Sequence, residues 1–474
     1  MTKTEIKKLE KELKIKPSLV WDKLKPRQRQ AVHKLSDDYK VFLDSAKTER
    51  EAVSEIEMRA ERAGFRPISA RRKFGPVYAS FMGKTMALAV PGRKPITEGM
   101  RLIVSHIDAP RLDLKQHPLY EEAELVFLKT HYYGGIKKYQ WLSRPLALHG
   151  RVIKADGSSL DLVLGEANDD PVLTISDLLP HLSRKVQAGK KVSEAFPAEK
   201  LNLLVGSLPL GDEDVQERFK LAVLDLLKKR WGLIEEDFLS AEFEAVPAGC
   251  ARDVGLDRSL IGGYGQDDRI CAYTSLEALF GVKKPEFTCV ALFMDKEEIG
   301  SDGATGAKSQ FFESFVLDLL ELSGENPTTH SLRKTLIKTR AISADVTGAL
   351  DPDYQEVHEK RNAARLGYGP CVNKYTGSRG KYGASDASAE YLGWLRQVFS
   401  SNDIIWQAAE LGKVDEGGGG TVAKDFAQRG MEIVDCGPAL LDVHSPFEIS
   451  SKADLYMTTQ AYQAFYTTAH GARP

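Results

Sequence analysis

The chain has 474 residues, 42% of them hydrophobic, with 65 basic side chains against 67 acidic ones and a formal net charge of −2. That length exceeds the size at which one core stops growing, so two domains are expected, and the near-neutral charge gives no global attraction to nucleic acid or to an anionic membrane. No run of about 18 apolar residues suggests a membrane span, Met1-Thr2-Lys3-Thr4-Glu5 lacks the apolar core of a signal peptide, and five scattered cysteines (Cys250, Cys271, Cys289, Cys371 and Cys436) without Cys-x-x-Cys spacing read as reduced thiols of a cytoplasmic protein.

Residues 26 to 63 read as one long charged helix closed by Gly64. Strands are predicted at 77–81, 85–90 and 101–105. The last of these delivers His106 and, two residues on, Asp108. The i, i+2 spacing puts both on one face of an extended segment, so His106 can coordinate a metal while Asp108 accepts its other imidazole N–H.

From about 116 the pattern of apolar runs ending in ligand-type residues stops, and it resumes at about 264. Between these points lie strand-like pieces at 146–153, 160–164 and 201–207, a helix at 215–231, and polar turns at Asp156-Gly157-Ser158-Ser159 and Asn168-Asp169-Asp170-Pro171. Ligands on both sides must converge on one site. Residues 116–249 therefore read as an insertion into a discontinuous catalytic domain made of 1–115 and 250–474.

Gly265-Gln266-Asp267-Asp268-Arg269 precedes an amphipathic helix pattern at 270–280, and a helix cap explains one of its aspartates but not both. The run 289–294 reads as a strand buried on both faces that ends in Asp295-Lys296-Glu297-Glu298. Successive side chains there point in different directions, so one glutamate can hold a metal and the other can act as a general base. Another apolar run ends at Asp345. Asn373 to Gly383 is a glycine-interleaved basic loop followed by a predicted helix at 385–400. Gly417-Gly418-Gly419-Gly420 lacks the Gly-Lys-Ser/Thr of a phosphate loop. Finally, Asp442-Val443-His444-Ser445 delivers a histidine before the turn at Pro446.

Taken singly, these features have ordinary explanations: a solvated acidic turn, a satisfied core histidine, a helix cap, a flexible loop. Together they form the order His, Asp, Glu-Glu, Asp, His. Two histidines and three carboxylates suit a pair of Zn²⁺ ions sharing one carboxylate.

The segments resemble the aspartyl aminopeptidase and aminopeptidase I family of dizinc exopeptidases. The resemblance is carried by Ser-His-Ile-Asp-Ala-Pro at 105 to 110, Gln-Asp-Asp-Arg at 266 to 269, Asp-Lys-Glu-Glu-Ile-Gly-Ser at 295 to 301, Ser-Ala-Asp at 343 to 345 and His-Ser at 444 to 445. A weaker block runs from Tyr133-Gly134-Gly135 to Leu148-His149-Gly150-Arg151-Val152, and the whole resemblance spans about 60 to 470.

It implies an α/β fold: a mixed-sheet α/β/α catalytic domain of zinc-exopeptidase type with an inserted β-rich dimerisation domain. It also implies a metallo-aminopeptidase that hydrolyses the N-terminal residue from peptides. Carried over position by position, Asp267 would bridge two divalent metals per subunit, Zn²⁺ first among them, although such ligands also accept Mn²⁺ or Co²⁺. His106 and Asp345 would complete one metal, Glu298 and His444 the other. Glu297 would be the base that takes a proton from the attacking water. Asp268 would stand behind the ligands, as Asp108 does. The substrate pocket would draw on Lys374, with Lys381 as the alternative, on Tyr382, and on the backbone of Gly418 and Gly419.

The family further implies homo-oligomers, in which dimers build a larger closed shell such as a dodecamer and a histidine from one inserted domain reaches a neighbour's site. That position falls on Asp177 here rather than on His181, so the contact is not carried over, and His181 reads as a packing residue. A related dizinc deacylase or carboxypeptidase would use the same ligand order. Cleavage of amino-blocked substrates separates it from an aminopeptidase. A scaffold without activity would be expected to have lost a ligand or Glu297, and none is missing.

Overall fold

The computed structural model describes residues 1–70 and 73–469; position 470, the far end of the resemblance, lies outside them. Among the described residues the strands form three sheets. The largest has nine, in the order Arg66–Pro67, Val77–Phe81, Thr85–Val90, Thr288–Met294, Met100–His106, Arg340–Ser343, Glu432–Gly437, Cys371–Asn373 and Gln407–Ala408. Its four central strands, from Thr288–Met294 to Glu432–Gly437, run parallel. Antiparallel neighbours flank them on both sides, so the sheet is mixed.

Parallel strands are buried on both faces, which is why these runs are continuously apolar rather than alternating. The two-residue period then sorts their side chains. Ile103, Ala291, Phe293 and Ile342 pack against Tyr273, Leu276, Tyr462 and Phe465 of the helices Gln266–Phe280 and Lys452–Thr467. Leu102, Val104, Val290 and Leu292 pack on the opposite face against Phe312, Phe315 and Leu319 of the helix Phe311–Ser323. The result is a helix–sheet–helix sandwich. Register pairs Met294 with His106, so neighbouring strands end together at one edge, where open α/β sheets bind ligands.

The second sheet is antiparallel, in the order Ser159–Leu164, Leu146–Ile153, Glu242–Pro247, Arg111–Glu122, Leu125–Tyr133 and Leu203–Gly206. Residues 116–249 form most of it, but its strand Arg111–Glu122 starts upstream of 116. The chain runs into that strand from Asp108 without a turn signal. Leu112, Val126, Leu146 and Phe243 form a separate core with Phe219 of the helix Arg218–Trp231, which begins three residues later than the pattern predicts. A third sheet, built from Arg252–Val254, Leu260–Gly263, Glu448–Ser451, Ala439–Leu441 and Thr347–Gly348, was not foreseen.

The single helix expected over 26 to 63 is two, Pro26–Ser45 and Glu49–Arg62. Thr48 starts the second with a reciprocal cap: its hydroxyl accepts the Glu51 N–H at 3.2 Å, and the Glu51 carboxylate accepts the Thr48 N–H at 3.0 Å. The break also buries Lys47, whose Nζ reaches Glu166 at 2.5 Å and the carbonyls of Pro247 and Gly249. The helix predicted at 385–400 is Ala389–Ser401, because Ser388 caps it by accepting the Tyr391 N–H.

Candidate active site

Each expected ligand sits at or just beyond the end of an element: three close or follow strands of the nine-stranded sheet, one opens a helix and one follows a strand of the third sheet. His106 closes the strand Met100–His106, and Asp345 follows Arg340–Ser343 by two residues. Glu297 and Glu298 open the short 3-10 turn Glu297–Ile299, three residues past Met294. Asp267 lies at the start of the helix Gln266–Phe280, joined to Asp268 by a cis peptide bond. His444 stands in the loop after Ala439–Leu441 with a left-handed φ of 66°.

These side chains converge. Asp267 Oδ1 is 3.2 Å from His106 Nε2, and its Oδ2 is 3.2 Å from His444 Nε2. His444 Nε2 is also 3.4 Å from Glu298 Oε1. Candidate ligand atoms of His106, Asp267 and Asp345 lie within 4.8 Å of one another, and so do those of Asp267, Glu298 and His444. The two triads share Asp267.

The electrostatics are those of excess buried negative charge. Burial and the charges of Asp267, Glu297 and Asp435 push Asp345 well above the usual carboxylate range, and burial with Asp267 does the same to Glu298. Burial alone would raise Asp267, but the imidazoles of His106 and His444 outweigh it and hold the group low. Burial opposes the charged form of His444, yet Asp267 and Glu298 carry it up to about 10. Asp267 Oδ1 and Glu298 Oε1 are buried and accept no hydrogen bond of regular geometry. Buried acceptors without donors are costly, and this nitrogen and oxygen donor set fits divalent cations.

Asp108 and Asp268 stand behind the ligands. His106 Nδ1 lies 3.2 Å from Asp108 Oδ1 and 3.0 Å from the Asp108 carbonyl oxygen. The Asp108 carboxylate also accepts the backbone N–H groups of Glu297 and Glu298, each at 3.2 Å, and the Tyr133 hydroxyl at 2.8 Å. Asp268 Oδ2 accepts the His106 backbone N–H at 3.2 Å.

Sequence reading missed Glu448. Its Oε1 accepts the His444 N–H at 2.8 Å and its Oε2 the Asp267 N–H at 3.0 Å, so one carboxylate holds the backbones of two candidate ligands. Burial, with repulsion from Asp267, pushes it up to about 8. The only local hint is an acid following Pro446-Phe447 at the head of a short strand. The role of the Tyr133-Gly134-Gly135 block also needed tertiary structure. The Gly135 carbonyl takes His444 Nδ1 at 2.8 Å, and a Cβ at Gly134 would come within 3.2 Å of Glu298 Oε2.

The cluster floors a cavity of about 550 Å³ whose wall includes Arg379, Lys381, Gly417 to Gly420 and Thr421. Glu297 faces it, and burial together with Asp108 and Asp267 raises its carboxyl to about 7. Of the expected pocket residues, Lys381, Gly418 and Gly419 line the cavity, whereas Lys374 and Tyr382 are not part of its wall. Lys374 turns its Nζ to within 3.9 Å of Asp386, and Tyr382 is 76% exposed. Lys381 is held 3.2 Å from Asp386 and stacks 4.0 Å over the Tyr375 ring. Within residues 116–249, Asp177 accepts the N–H of Leu178 and a hydrogen bond from Gln187, and both Asp177 and His181 are exposed. His181 is thus not a packing residue within this chain: its short helix Pro180–Ser183 buries nothing.

Comparison with known proteins gives a consistent result. The sequence profile described as aminopeptidase I zinc metalloprotease (M18) matches residues 42–466. A probable M18 family aminopeptidase 1 of Clostridium acetobutylicum is 49% identical over 452 residues, covering 94% of this chain and 97% of the relative. The crystal structure of an M18 family aminopeptidase from Thermotoga maritima superposes with a TM-score of 0.92 at 47% identity, covering 96% of this chain and 99% of that one. A more distant structure, the S. cerevisiae mApe1 dodecamer, shares the fold with a TM-score of 0.73 at 19% identity, covering 91% and 95% of the two chains.

Proposed function

The chain belongs to the aminopeptidase I zinc metalloprotease family, and from that premise we propose that His106, Asp267, Glu298, Asp345 and His444 hold two divalent metal ions per subunit. It is a metallo-aminopeptidase, a peptide hydrolase that depends on a divalent metal. In the proposed arrangement His106 and Asp345 serve one ion, Glu298 and His444 serve the other, and Asp267 serves both. Zn²⁺ suits this donor set, and Mn²⁺ and Co²⁺ are accepted by the same ligands. The observation that carries the reading is the placement of Asp267, with one oxygen toward each histidine.

When bound, the paired cations lower the pKa of a water and stabilise the negative charge that develops on the attacked carbonyl. The chain's own groups do the rest. Glu297 faces the cavity and belongs to neither triad, so it is free to take the proton of the attacking water and pass it to the leaving amine. Asp108 holds the imidazole of His106 and, through two backbone N–H groups, the turn that carries Glu297. The backbones of Gly418 and Gly419 and the Lys381 ammonium form the wall that meets the peptide.

We place the enzyme in the cytoplasm as a homo-oligomer of dimers that build a closed shell, a dodecamer as in the distant S. cerevisiae structure. Support for assembly comes from Leu178, Leu179, Leu182, Leu208 and Leu226, large apolar side chains left exposed on the inserted domain. The five free cysteines support a reducing compartment. No helix among the described residues is long and apolar enough to cross a membrane.

The test is hydrolysis of aminoacyl chromogenic substrates after chelation and metal add-back, with and without an amino-blocking group. Activity on free amino termini should return with metal and be absent on blocked ones. E297Q should keep its metal content and lose turnover by about 10²–10⁴-fold, because only proton transfer is removed. A metal-loaded E297Q with parental turnover removes Glu297 from the role of base, and cleavage of blocked substrates points to a deacylase.

A further inference from the structure

The two loops that wall the cavity are laced to each other and to one buried carboxylate. Asp435 lies in the strand Glu432–Gly437, is 1% exposed, and sits in register between Ser343, two residues before Asp345, and Asn373, where the basic loop begins. Its Oδ1 accepts the Thr421 hydroxyl at 2.7 Å, at the end of the glycine run. Its Oδ2 accepts the Thr376 hydroxyl of the basic loop at 3.4 Å. Between the loops, the Gly377 N–H donates to the Gly419 carbonyl at 2.6 Å. They approach so closely that a Cβ at Gly418 would stand 1.9 Å from the Gly377 carbonyl oxygen, and Gly418 itself has a φ of 100°.

Four consecutive glycines have little intrinsic preference for one conformation, so the shape of this wall depends on what fastens it. Residues 417 to 420 are exposed, and the bonds at Gly419 and Thr421 are what join the run to the basic loop and to the sheet. A hydroxyl bonded to a buried carboxylate is a strong fastening, and losing it leaves that carboxylate short of a donor. The same strand end neighbours the one that delivers Asp345.

We propose that Asp435 is a positioning residue for peptide binding: through Thr376 and Thr421 it holds both walls of the substrate cavity in register with the catalytic floor. Its hydrogen bonds go to the two loops and to neither triad, and it meets Asp345 only through charge repulsion. The inference rests on the aminopeptidase reading, and it assigns Asp435 to substrate affinity rather than to the chemical step.

The experiment compares T421V, T421S and D435N in the full-length, metal-loaded enzyme. T421V removes the hydroxyl at nearly constant volume and T421S restores it. T421V and D435N are expected to raise KM about tenfold or more with kcat within about threefold, while T421S keeps the parental KM. A second readout needs no turnover: trypsin should cut the folded protein faster after Arg379, Lys381, Lys413 or Lys424 in T421V and D435N than in the parent or T421S. Unchanged KM and unchanged cleavage in T421V overturn the proposal while leaving the parent's hydrolysis of free amino termini intact. So does a T421S indistinguishable from T421V, or a loss confined to kcat. A parent inactive on every aminoacyl substrate removes the function itself, and the cleavage pattern then still decides whether Asp435 fastens the loops.

Discussion

At the scale of single residues, the carboxylate of Asp108 gathers an imidazole, two backbone N–H groups and one phenol. The phenol belongs to Tyr133, whose ring is covered by the Arg111 guanidinium at 4.0 Å. Y133F removes a donor to a fully buried acid without changing packing volume. Groups that orient a metal ligand typically change metal affinity or activity about 10–100-fold when lost. Y133F is therefore expected to lose activity or metal affinity in that range, with an unchanged circular dichroism spectrum. Parental kcat/KM and metal affinity in Y133F show that the tyrosine does not act through Asp108. Four of the five candidate ligands were legible in sequence because each closes or follows an apolar run, and Asp267 because a helix cap accounts for only one aspartate of its pair. Glu448 and Tyr133 were not: Glu448 bonds the nearby His444 N–H but also that of Asp267, 181 positions away, and Tyr133 reaches Asp108 across 25, so only the folded loops reveal what they hold.

At the scale of elements, the helix Glu49–Arg62 is tied to the antiparallel second sheet through His149 on the strand Leu146–Ile153. Its Nδ1 meets Glu51 of the helix Glu49–Arg62 at 2.7 Å, and its Nε2 meets Glu166 at 3.1 Å. Burial disfavours the charged imidazole, but Glu166 and Glu51 outweigh it and hold its pKa above the ordinary value. For a histidine raised in the folded state, the stabilisation is fully present below the unfolded value near 6.5. It is lost as pH rises through the higher folded value. The melting temperature of the parent should therefore decline between pH 6.5 and the folded value more than that of H149Q, whose profile lacks this term. Parallel profiles for the two proteins count against the linkage. The capping signal Thr48-x-x-Glu51 that ends one helix and starts the next was present in the sequence, but it was hidden in a charged run that reads as continuous helix. Three of the four central strands were legible because burial on both faces leaves an unbroken apolar signature; the fourth, Glu432–Gly437, carries the buried acid Asp435 in its run and was not read as a strand. The third sheet was not, because its strands are two to four residues long and pair across the chain.

At the scale of the whole molecule, folding brings together four acids and two histidines from five segments that span more than three hundred positions, so a divalent metal held by the proposed ligands would bind the folded chain and not the unfolded one. Ligand that binds only the native state stabilises it by about 2.7 kcal/mol at a hundredfold excess over Kd. Chelation should lower the melting temperature by several degrees, and add-back of Zn²⁺ should restore it; an unchanged transition after verified metal loss contradicts this coupling. The most direct test of the shared role of Asp267 is the metal content per subunit of purified protein, measured by atomic emission. The parent is expected to hold two ions, H106A and H444A about one each, and D267A close to none. A D267A protein that still retains two ions, or a fully loaded parent that holds only one, contradicts the account.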